Sequence, residues 1–284
     1  MDIRHVNLYE RFGIEQPEGA CAKLRCYITH TYEKISTFRK KPAVLILPGG
    51  GYGYVSPREG EPVALRFAAR GYAVFELEYS CAPCRFPAPL REAAMAMRYI
   101  RENAAEFEVD TKMVAAMGFS AGGHLCGMLG TMFDCPEVAD IAPAEQIRPD
   151  ALGLCYPVAV SWGNTHEGSF QNLCGNDQQL RERLSLDKRV RPDMMPVFLW
   201  HTRDDGAVPC RNSVLLAAAL EEAGVDFSFH LYRRGVHGLS TADAMVYSSH
   251  RVPSVSRNVP GWLDEMLEFW QEIGFMITDL EEEA

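Results

Sequence analysis

The chain has 284 residues, of which 47% are hydrophobic and 23% are charged, and its formal net charge is −10. This length fits one large domain or two small ones, and the composition is ordinary for a globular protein. The acidic balance repels a phosphate backbone, so we expect no nucleic-acid partner. No apolar run approaches the roughly 20 residues that span a bilayer, and the first residues carry no secretory pattern. We therefore expect no membrane partner and a cytoplasmic location.

In chain order, short segments rich in Val, Ile, Leu and Phe alternate with longer segments of helical periodicity. The predicted strands are residues 25–32, 43–47, 72–79, 113–117, 151–156, 197–200 and 227–232. Between them, apolar residues at helical spacing, such as Leu90, Ala94 and Met97, predict helices that bury one face. This alternation favours an α/β fold with a mostly parallel central sheet and helices on both faces.

The organisation predicted from the sequence is a single domain over residues 1–284. No repeat, low-complexity linker or shift in composition marks a domain boundary. The one exception to the alternation is a segment of about 40 residues, rich in Asn, Gln, Arg and Gly, which separates two predicted strands. Loops of that length are usually functional or carry an insertion. We interpret residues 157–195, approximately, as a lid insertion over a site.

Three consecutive glycines, Gly49, Gly50 and Gly51, follow the predicted strand 43–47. Without Cβ atoms, the amides of such a loop can approach a ligand closely. A plain flexible loop and a phosphate cradle are the alternatives, but neither GxxxxGKS nor GxGxxG accompanies the glycines.

The cysteines favour reduced thiols over a disulfide framework, because the chain has nine of them, an odd number. Cys81 and Cys84 form a CxxC pair, but no second pair and no histidine cluster accompany it. A tetrahedral zinc site needs four such ligands. We therefore expect neither a metal ion nor a cofactor.

A serine between two glycines follows the apolar segment 114–117, in the sequence Gly118-Phe119-Ser120-Ala121-Gly122. This pattern is typical of a nucleophile elbow, a sharp strand-to-helix turn in which small neighbours relieve the steric strain. It predicts that Ser120 is the nucleophile of an acyl-transfer reaction. A glycine-flanked serine in a flexible loop is the alternative on this pattern alone.

A serine hydroxyl needs a base, and the base needs a carboxylate that orients it. His237 is the best-placed histidine, because it follows the last predicted strand between glycines. Asp204 and Asp205 both follow the strand that ends near residue 200. We favour Asp205, because it begins the turn 205–209 that leads into the next helix, whereas Asp204 would cap or orient that turn, the commoner role of a loop aspartate. The order Ser120, Asp205, His237 is that of the α/β-hydrolases. The oxyanion donors are then predicted to be the amides of Gly50, Gly51 and Ala121.

These motifs resemble one known family. They are LPGGGY at 47–52, FPAPL at 86–90, GFSAGGHL at 118–125, WHTRDDGAVP at 200–209 and GVHGL around His237. Together they resemble the small bacterial carbohydrate-esterase and acetyl-xylan-esterase-like branch of the α/β-hydrolases, which is related to the hormone-sensitive-lipase-like esterases. The likeness runs from about residue 41 to 269. It implies a serine esterase that needs no cofactor and releases short acyl groups, acetyl above all, from a carbohydrate such as an acetylated xylo-oligosaccharide.

The resemblance also indicates where substrate would lie. The segment from His166 to Asn172 is near the active site in the family, so His166 and Asn172 are expected substrate contacts, although a structural role for this lid is an equal alternative. Tyr52 is a third expected contact, through stacking on a sugar ring, although buried packing is the safer assumption for this residue. The chain departs from the lipase relatives at Pro48, where they have HGGG, and at Glu92, where they often have aspartate.

Other readings of the same residues stay open. An arylformamidase or a peptidase could use the same triad, although oligopeptidases of this fold usually carry an added propeller domain for which 284 residues leave no room. A non-catalytic binding protein of the same fold is the alternative from a different class, and an intact Ser, Asp and His set argues against it. The expected partner is a small-molecule ester, and homo-oligomer formation is compatible with the sequence.

Overall fold

A computed structural model describes residues 1–30, 39–247, 258–276 and 278–279, and within them nine strands form one sheet. The strands are β1 (Asp2–Asn7), β2 (Lys23–Ile28), β3 (Arg39–Leu47), β4 (Ala73–Glu78), β5 (Val109–Phe119), β6 (Leu152–Cys155), β7 (Val197–Thr202), β8 (Phe227–Tyr232) and β9 (Thr278–Asp279). Their order is β1-β2-β4-β3-β5-β6-β7-β8, with β9 paired to β3. From β4 to β8 every neighbouring pair is parallel, whereas β1–β2, β2–β4 and β3–β9 are antiparallel.

The predicted α/β class and mostly parallel sheet are therefore confirmed, and each of the seven predicted strands overlaps an observed one. Two details differ. The strand predicted over residues 25–32 runs from Lys23 to Ile28, and Tyr32 lies outside the described residues. β1 was missed because it is an edge strand with no fully buried residue, so it lacks the apolar pattern that marks a strand.

Helices cover both faces of the sheet. They are α1 (Leu8–Phe12), α2 (Glu61–Ala68), α3 (Ala88–Glu102), α4 (Ala104–Phe107), α5 (Ala121–Met132), α6 (Ala144–Ile147), α7 (Glu167–Cys174), α8 (Gln178–Arg183), α9 (Arg211–Glu222) and α10 (Trp262–Glu272). Alternate residues of β3 point to opposite faces: Leu45 and Leu47 join the core beneath α3, α5 and α9, while Val44 and Ile46 join the core beneath α2 and α10. This two-sided burial explains why the central strands read as continuous apolar runs.

The chain changes direction across the sheet at β3. It passes from β3 through α2 to β4 on one side, then returns through α3 to β5 on the other side. Neighbouring connections that leave β3 and β5 in opposite directions open a crevice at the carboxyl ends of these strands. The glycine loop follows β3 and Ser120 follows β5, so both lie at this switch point.

The insertion between β6 and β7 contains α7, α8 and a short 3₁₀ turn, Leu186–Lys188. It is anchored at several points, since the Arg181 guanidinium donates to the Ser161 carbonyl and the Leu186 amide donates to the Ala159 carbonyl. These contacts place a folded segment, rather than an open loop, between the two strands. The limits of the domain and the lid role of residues 157–195 stay predictions.

Glycines allow the turn after β5 to pack against β3. A Cβ built on Gly122 would lie 2.0 Å from the Leu47 carbonyl oxygen and 2.3 Å from the Pro48 carbonyl oxygen. A Cβ on Gly118 would lie 2.1 Å from the carbonyl oxygen of Gly122. These are backbone contacts with no flexible side chain to give way, so the glycine spacing of the motif is a packing requirement.

We expect Gly122→Ala to lower the free energy of unfolding by about 1–3 kcal/mol, because the new methyl group forces α5 away from the end of β3. Urea denaturation followed by circular dichroism measures the change. Gly261→Ala is the matched control, since a Cβ at Gly261 meets no atom within 4 Å and its backbone φ is negative. Equal unfolding midpoints for the two variants would contradict the packing argument.

Candidate active site

Ser120 occupies the strained turn between β5 and α5, with φ 55° and ψ −118°. The turn is held from both sides. The Ser120 amide donates to the Cys155 carbonyl over 3.0 Å, and the Ser120 carbonyl accepts from the amides of His124 and Val158. A non-glycine residue tolerates positive φ only where its surroundings fix it. The side chain is almost buried, with 6% exposed, and its hydroxyl faces the crevice.

The structure brings Ser120, His237 and Asp205 together. His237 Nε2 lies 2.8 Å from Ser120 Oγ, and His237 Nδ1 lies 2.6 Å from Asp205 Oδ2. Asp205 follows β7 and His237 follows β8, so the three side chains come from the carboxyl ends of three parallel strands. The ring of Tyr156 packs edge-on against the imidazole, with centroids 5.1 Å apart.

These contacts fix the protonation pattern. A carboxylate only accepts, so His237 Nδ1 carries the proton and Nε2 is left to accept from the serine hydroxyl. Burial raises the pKa of Asp205, but hydrogen bonds from His201 and His237, the nearby His237 charge and the Val208 amide outweigh it and hold that pKa well below the usual range. Asp205 is therefore a carboxylate throughout the neutral range, as a partner of an imidazolium must be.

Asp204 and Asp205 have different tasks. Asp204 Oδ1 accepts the Gly235 amide over 2.6 Å and so braces the loop that carries His237. Asp205 Oδ1 accepts the amides of Ala207 and Val208, which leaves Oδ2 for the histidine. Asp204 was expected to cap its own turn, but its carboxylate instead accepts an amide of a neighbouring loop, and Asp205 caps the turn.

A second Ser–His pair shares the same carboxylate. His201 Nδ1 lies 2.7 Å from Ser213 Oγ, and His201 Nε2 lies 3.3 Å from Asp205 Oδ2. Both side chains are fully buried, with 0% exposed. No substrate can reach Ser213, so this set serves to hold Asp205.

Three backbone amides beside Ser120 lack a protein acceptor among the described residues: those of Gly50, Gly51 and Ala121. The Gly49 amide, by contrast, is taken by the Glu59 carboxylate over 2.8 Å. The three free donors are the ones that the sequence singled out for the oxyanion. Gly50 and Gly51 line a cavity of about 520 Å³, together with Ser120, His166 and His237, and Ala121 follows Ser120 directly in the chain.

The three predicted substrate contacts lie in different positions. His166 lines the cavity and is the N-cap of α7, where its Nδ1 accepts from the amide and hydroxyl of Ser169. Asn172 donates to the Gly51 carbonyl over 2.9 Å, so it supports the glycine loop, and a direct substrate contact at Asn172 stays a prediction.

Tyr52 does not face the cavity. It is 1% exposed, and its hydroxyl donates to His124 Nδ1 over 2.9 Å, because His124 Nε2 donates to the Leu184 carbonyl. Burial lowers the pKa of His124 to about 4, so the ring stays neutral and keeps this pattern. The expected sugar stacking by Tyr52 does not fit this position, since the tyrosine is a core residue beneath the loop.

Sequence reasoning missed the part of the cavity lining that residues 54–59 supply, including Tyr54, Arg58 and Glu59, and it did not single out Gly238. Tyr54 is an exposed aromatic at the rim, with 63% of its surface accessible, whereas Glu59 is buried. They lie in an irregular segment without hydrophobic periodicity, so no pattern indicates which side chains turn towards Ser120.

The described residues contain no group of three or more His, Cys, Asp or Glu side chains suited to a metal ion. In the same ranges no helix is both long and apolar enough to cross a membrane.

A parallel sheet whose loops assemble Ser, His and Asp next to free backbone amides defines a serine hydrolase of the α/β class. Comparison with known proteins agrees. A family model named BD-FAE matches residues 31–146, and that of the prolyl oligopeptidase family matches residues 92–268. The crystal structure of an acetyl ester-xyloside bifunctional hydrolase from Caldicellulosiruptor lactoaceticus has a TM-score of 0.82 and 34% identity, covering 96% of this chain and 97% of that one. The chain belongs to the α/β-hydrolase superfamily, in its bacterial carbohydrate-esterase branch.

Two curated relatives extend the comparison. The chain is 38% identical over 222 residues to endo-1,4-beta-xylanase B of Butyrivibrio fibrisolvens, and 29% identical over 204 residues to an acetylxylan esterase of Xylanibacter ruminicola. The matches cover 74% and 69% of this chain but 34% and 40% of the relatives. The chain therefore spans less than half the length of these relatives.

We expect Asp205→Asn to lower kcat by about 10⁴-fold, because an amide can donate to His237 Nδ1 and so favours the wrong tautomer. Asp204→Asn keeps an oxygen for the Gly235 amide and should cost less than about tenfold, the worth of one weakened hydrogen bond. Steady-state hydrolysis of p-nitrophenyl acetate measures both. A larger loss in Asp204→Asn would move the carboxylate of the triad by one residue.

Proposed function

We propose that this chain is a serine esterase that removes short acyl groups, acetyl above all, from a carbohydrate such as an acetylated xylo-oligosaccharide. The observation that carries the proposal is the continuous chain of contacts from Asp205 through His237 to Ser120, beside three unoccupied amides. In this proposal Ser120, Asp205 and His237 are the catalytic residues. The amides of Gly50, Gly51 and Ala121 form the oxyanion hole.

The first half of the reaction transfers the acyl group to the enzyme. Ser120 Oγ attacks the ester carbonyl carbon while His237 Nε2 takes the hydroxyl proton. The carbonyl oxygen becomes an oxyanion, which the preorganised amides stabilise more strongly than the neutral substrate. Collapse of the intermediate breaks the bond to the sugar oxygen, and the imidazolium returns its proton to that oxygen.

The second half releases the acid. A water molecule loses a proton to His237 Nε2 and attacks the acyl-enzyme, the same amides stabilise the second oxyanion, and the proton returns to Ser120 Oγ. The Asp205 carboxylate stabilises the imidazolium in both halves without itself becoming protonated. Ester and water are the only reactants that this cycle consumes.

A carbohydrate substrate is supported by the relatives and by the cavity. The relatives are named as a xylanase, an acetylxylan esterase and an acetyl ester-xyloside hydrolase. Among the described residues, the cavity lining includes polar groups such as His166 and Arg58 and no Leu, Ile, Val or Met side chain of the kind that a long acyl chain packs against. The exposed ring of Tyr54 at the rim offers a flat face of the kind that sugars stack against.

His166 supplies a directed donor for such a substrate. The Ser169 backbone amide can only donate, so His166 Nδ1 is the unprotonated nitrogen and the proton lies on Nε2. Nε2 has no partner among the described residues, and burial together with the nearby His237 lowers the pKa of His166. The ring therefore stays neutral and presents one N–H group, which suits a sugar hydroxyl.

A peptidase is the second candidate, because the prolyl oligopeptidase family model matches much of the chain. An arylformamidase would use the same triad, whereas a non-catalytic binding protein would not use the triad for chemistry. Acetate release from acetylated xylo-oligosaccharides supports the esterase, whereas preferential cleavage of prolyl peptides or of N-formylkynurenine would replace it. We propose the cytoplasm as the location, which the nine free cysteines support.

We expect wild-type protein to release acetate from acetylated xylo-oligosaccharides and to hydrolyse p-nitrophenyl acetate, and Ser120→Ala to lose at least about 10³-fold in kcat. Ser228→Ala is the matched control, because Ser228 Oγ also lies 2.8 Å from a histidine nitrogen, that of His230, but on strand β8 outside the cavity. It should retain wild-type activity. An active Ser120→Ala protein, or wild type without turnover on any short ester, refutes the mechanism.

We expect His166→Asn to raise KM for acetylated xylo-oligosaccharides about tenfold, the cost of one lost hydrogen bond. Asparagine is a favourable helix N-cap, so it preserves the contact to the Ser169 amide while it removes the Nε2–H donor. Hydrolysis of p-nitrophenyl acetate, which has no sugar hydroxyl, should change little. Equal effects on both substrates would show that His166 supports the fold rather than the sugar.

A further inference from the structure

Glu59 is a buried carboxylate at the active site that takes no part in the triad. It ends the short 3₁₀ turn Pro57–Glu59, and only 3% of its surface is exposed. Its two oxygens have separate partners. Oε2 accepts the Gly49 amide over 2.8 Å, and Oε1 accepts the Tyr156 hydroxyl over 2.7 Å. A buried carboxylate is costly, so its retention between two loops calls for a reason.

The first partner connects Glu59 to the oxyanion loop. Gly49 lies directly against the elbow, since a Cβ built on it would be 3.0 Å from Ser120 Cβ and 2.8 Å from the Phe119 carbonyl oxygen. The next two residues, Gly50 and Gly51, carry the free amides. A bond that fixes the orientation of the Gly49 peptide therefore fixes where the following amides point. It also removes Gly49 as a competing donor.

The second partner connects Glu59 to the base. The Tyr156 ring packs against His237, with centroids 5.1 Å apart, and the Tyr156 hydroxyl accepts the Ser240 amide over 2.9 Å. Tyr156 itself has φ 38°, a conformation that needs such external support. Through the Tyr156 hydroxyl, Glu59 therefore holds in place both the ring that packs against the His237 imidazole and the loop that carries His237.

Neighbouring contacts tie the same two segments together. The Ser240 hydroxyl donates to the Arg58 carbonyl over 2.6 Å, and the Arg58 guanidinium donates to the Gly238 carbonyl over 3.2 Å. The segment 57–59 thus lies at the junction of the glycine loop, the end of β6 and the His237 loop. Glu59 is the member of this segment whose side chain reaches both sides of the junction.

We propose that Glu59 is a positioning residue, which holds the oxyanion amides and the His237 loop in register with Ser120. Glu59 does not touch the reacting atoms, since both of its oxygens are occupied. It acts through Gly49 and Tyr156. This inference rests on the proposed serine-esterase function, and it adds a residue that neither the motifs nor the triad identifies.

Glu92 offers a matched control elsewhere in the molecule. It is also a buried glutamate, 0% exposed, and it also accepts one tyrosine hydroxyl, that of Tyr9 over 2.8 Å, and one backbone amide, that of Ser80 over 2.6 Å. It does not line the cavity of Ser120. Replacing Glu92 therefore reports the general cost of losing a buried carboxylate, and replacing Glu59 reports that cost plus any effect on catalysis.

The test compares Glu59→Gln and Glu59→Ala with Glu92→Gln and Glu92→Ala in the full chain, by kcat and KM for p-nitrophenyl acetate and by thermal melting. We expect Glu59→Ala to lower kcat about a hundredfold with little change in KM, because misplaced donors fail mainly in the transition state. Glu59→Gln should recover part of this loss, since its remaining oxygen still accepts the Gly49 amide. The Glu92 variants should melt earlier but keep their kcat.

The binding of a transition-state analogue gives a second measurement, and a loss of folding stability alone does not change it. A trifluoromethyl ketone forms an oxyanion adduct with the active serine, so its inhibition constant should rise in Glu59→Ala in proportion to the loss of kcat/KM. If the wild type is active but the Glu59 variants have the same kcat as the Glu92 variants, the positioning role of Glu59 is wrong and the proposed function stands. A wild type that turns over no ester would overturn the proposed function and the inference with it.

Discussion

The active site depends on one close contact, between the first turn of α5 and the end of β3. Because Gly122 has no side chain, the helix backbone lies against the carbonyl groups of Leu47 and Pro48. The same approach brings Gly49 against Ser120. Ser120, the proposed nucleophile, and the amides proposed to face its oxyanion are therefore positioned by a single packing contact, and neither can shift without the other.

Around that contact, the topology decides which loops can meet. The chain reverses direction at β3, so the loops after β3 and β5 border one crevice, and the parallel strands β7 and β8 deliver Asp205 and His237 to the same edge. Loops alone would hold these side chains loosely. Buried polar bonds supply the rigidity, since Asp204, Asp205 and Glu59 each bind at least one group from another segment, and such networks are stable only when every member is satisfied.

The sequence predicted those parts of the site that follow directly from strand order. Ser120, Asp205 and His237 each come just after an apolar strand, and Gly50 and Gly51 do the same, so a parallel sheet gathers them at one edge. Contacts between irregular segments could not be predicted in this way. The burial of Tyr52 depends on a bond to His124, which is 72 residues away. The role of Glu59 likewise depends on its contacts with Gly49 and Tyr156, which come from two other segments of the chain.

Two serines, Ser120 and Ser213, each pair with a histidine beside Asp205, and their surroundings distinguish a proposed nucleophile from a structural hydroxyl. Ser213 has a histidine at 2.7 Å and, through it, the same aspartate, so hydrogen-bond geometry alone would also qualify it. The two serines differ in their access to the cavity and in their backbone conformation. Ser213 is inside a regular helix and fully buried, whereas Ser120 stands on a positive-φ turn with a cavity and free amides before it. His201, which pairs with Ser213, lies with Nε2 2.9 Å from the Val208 carbonyl oxygen and 3.3 Å from Asp205 Oδ2, and its proximity helps to hold the pKa of Asp205 low.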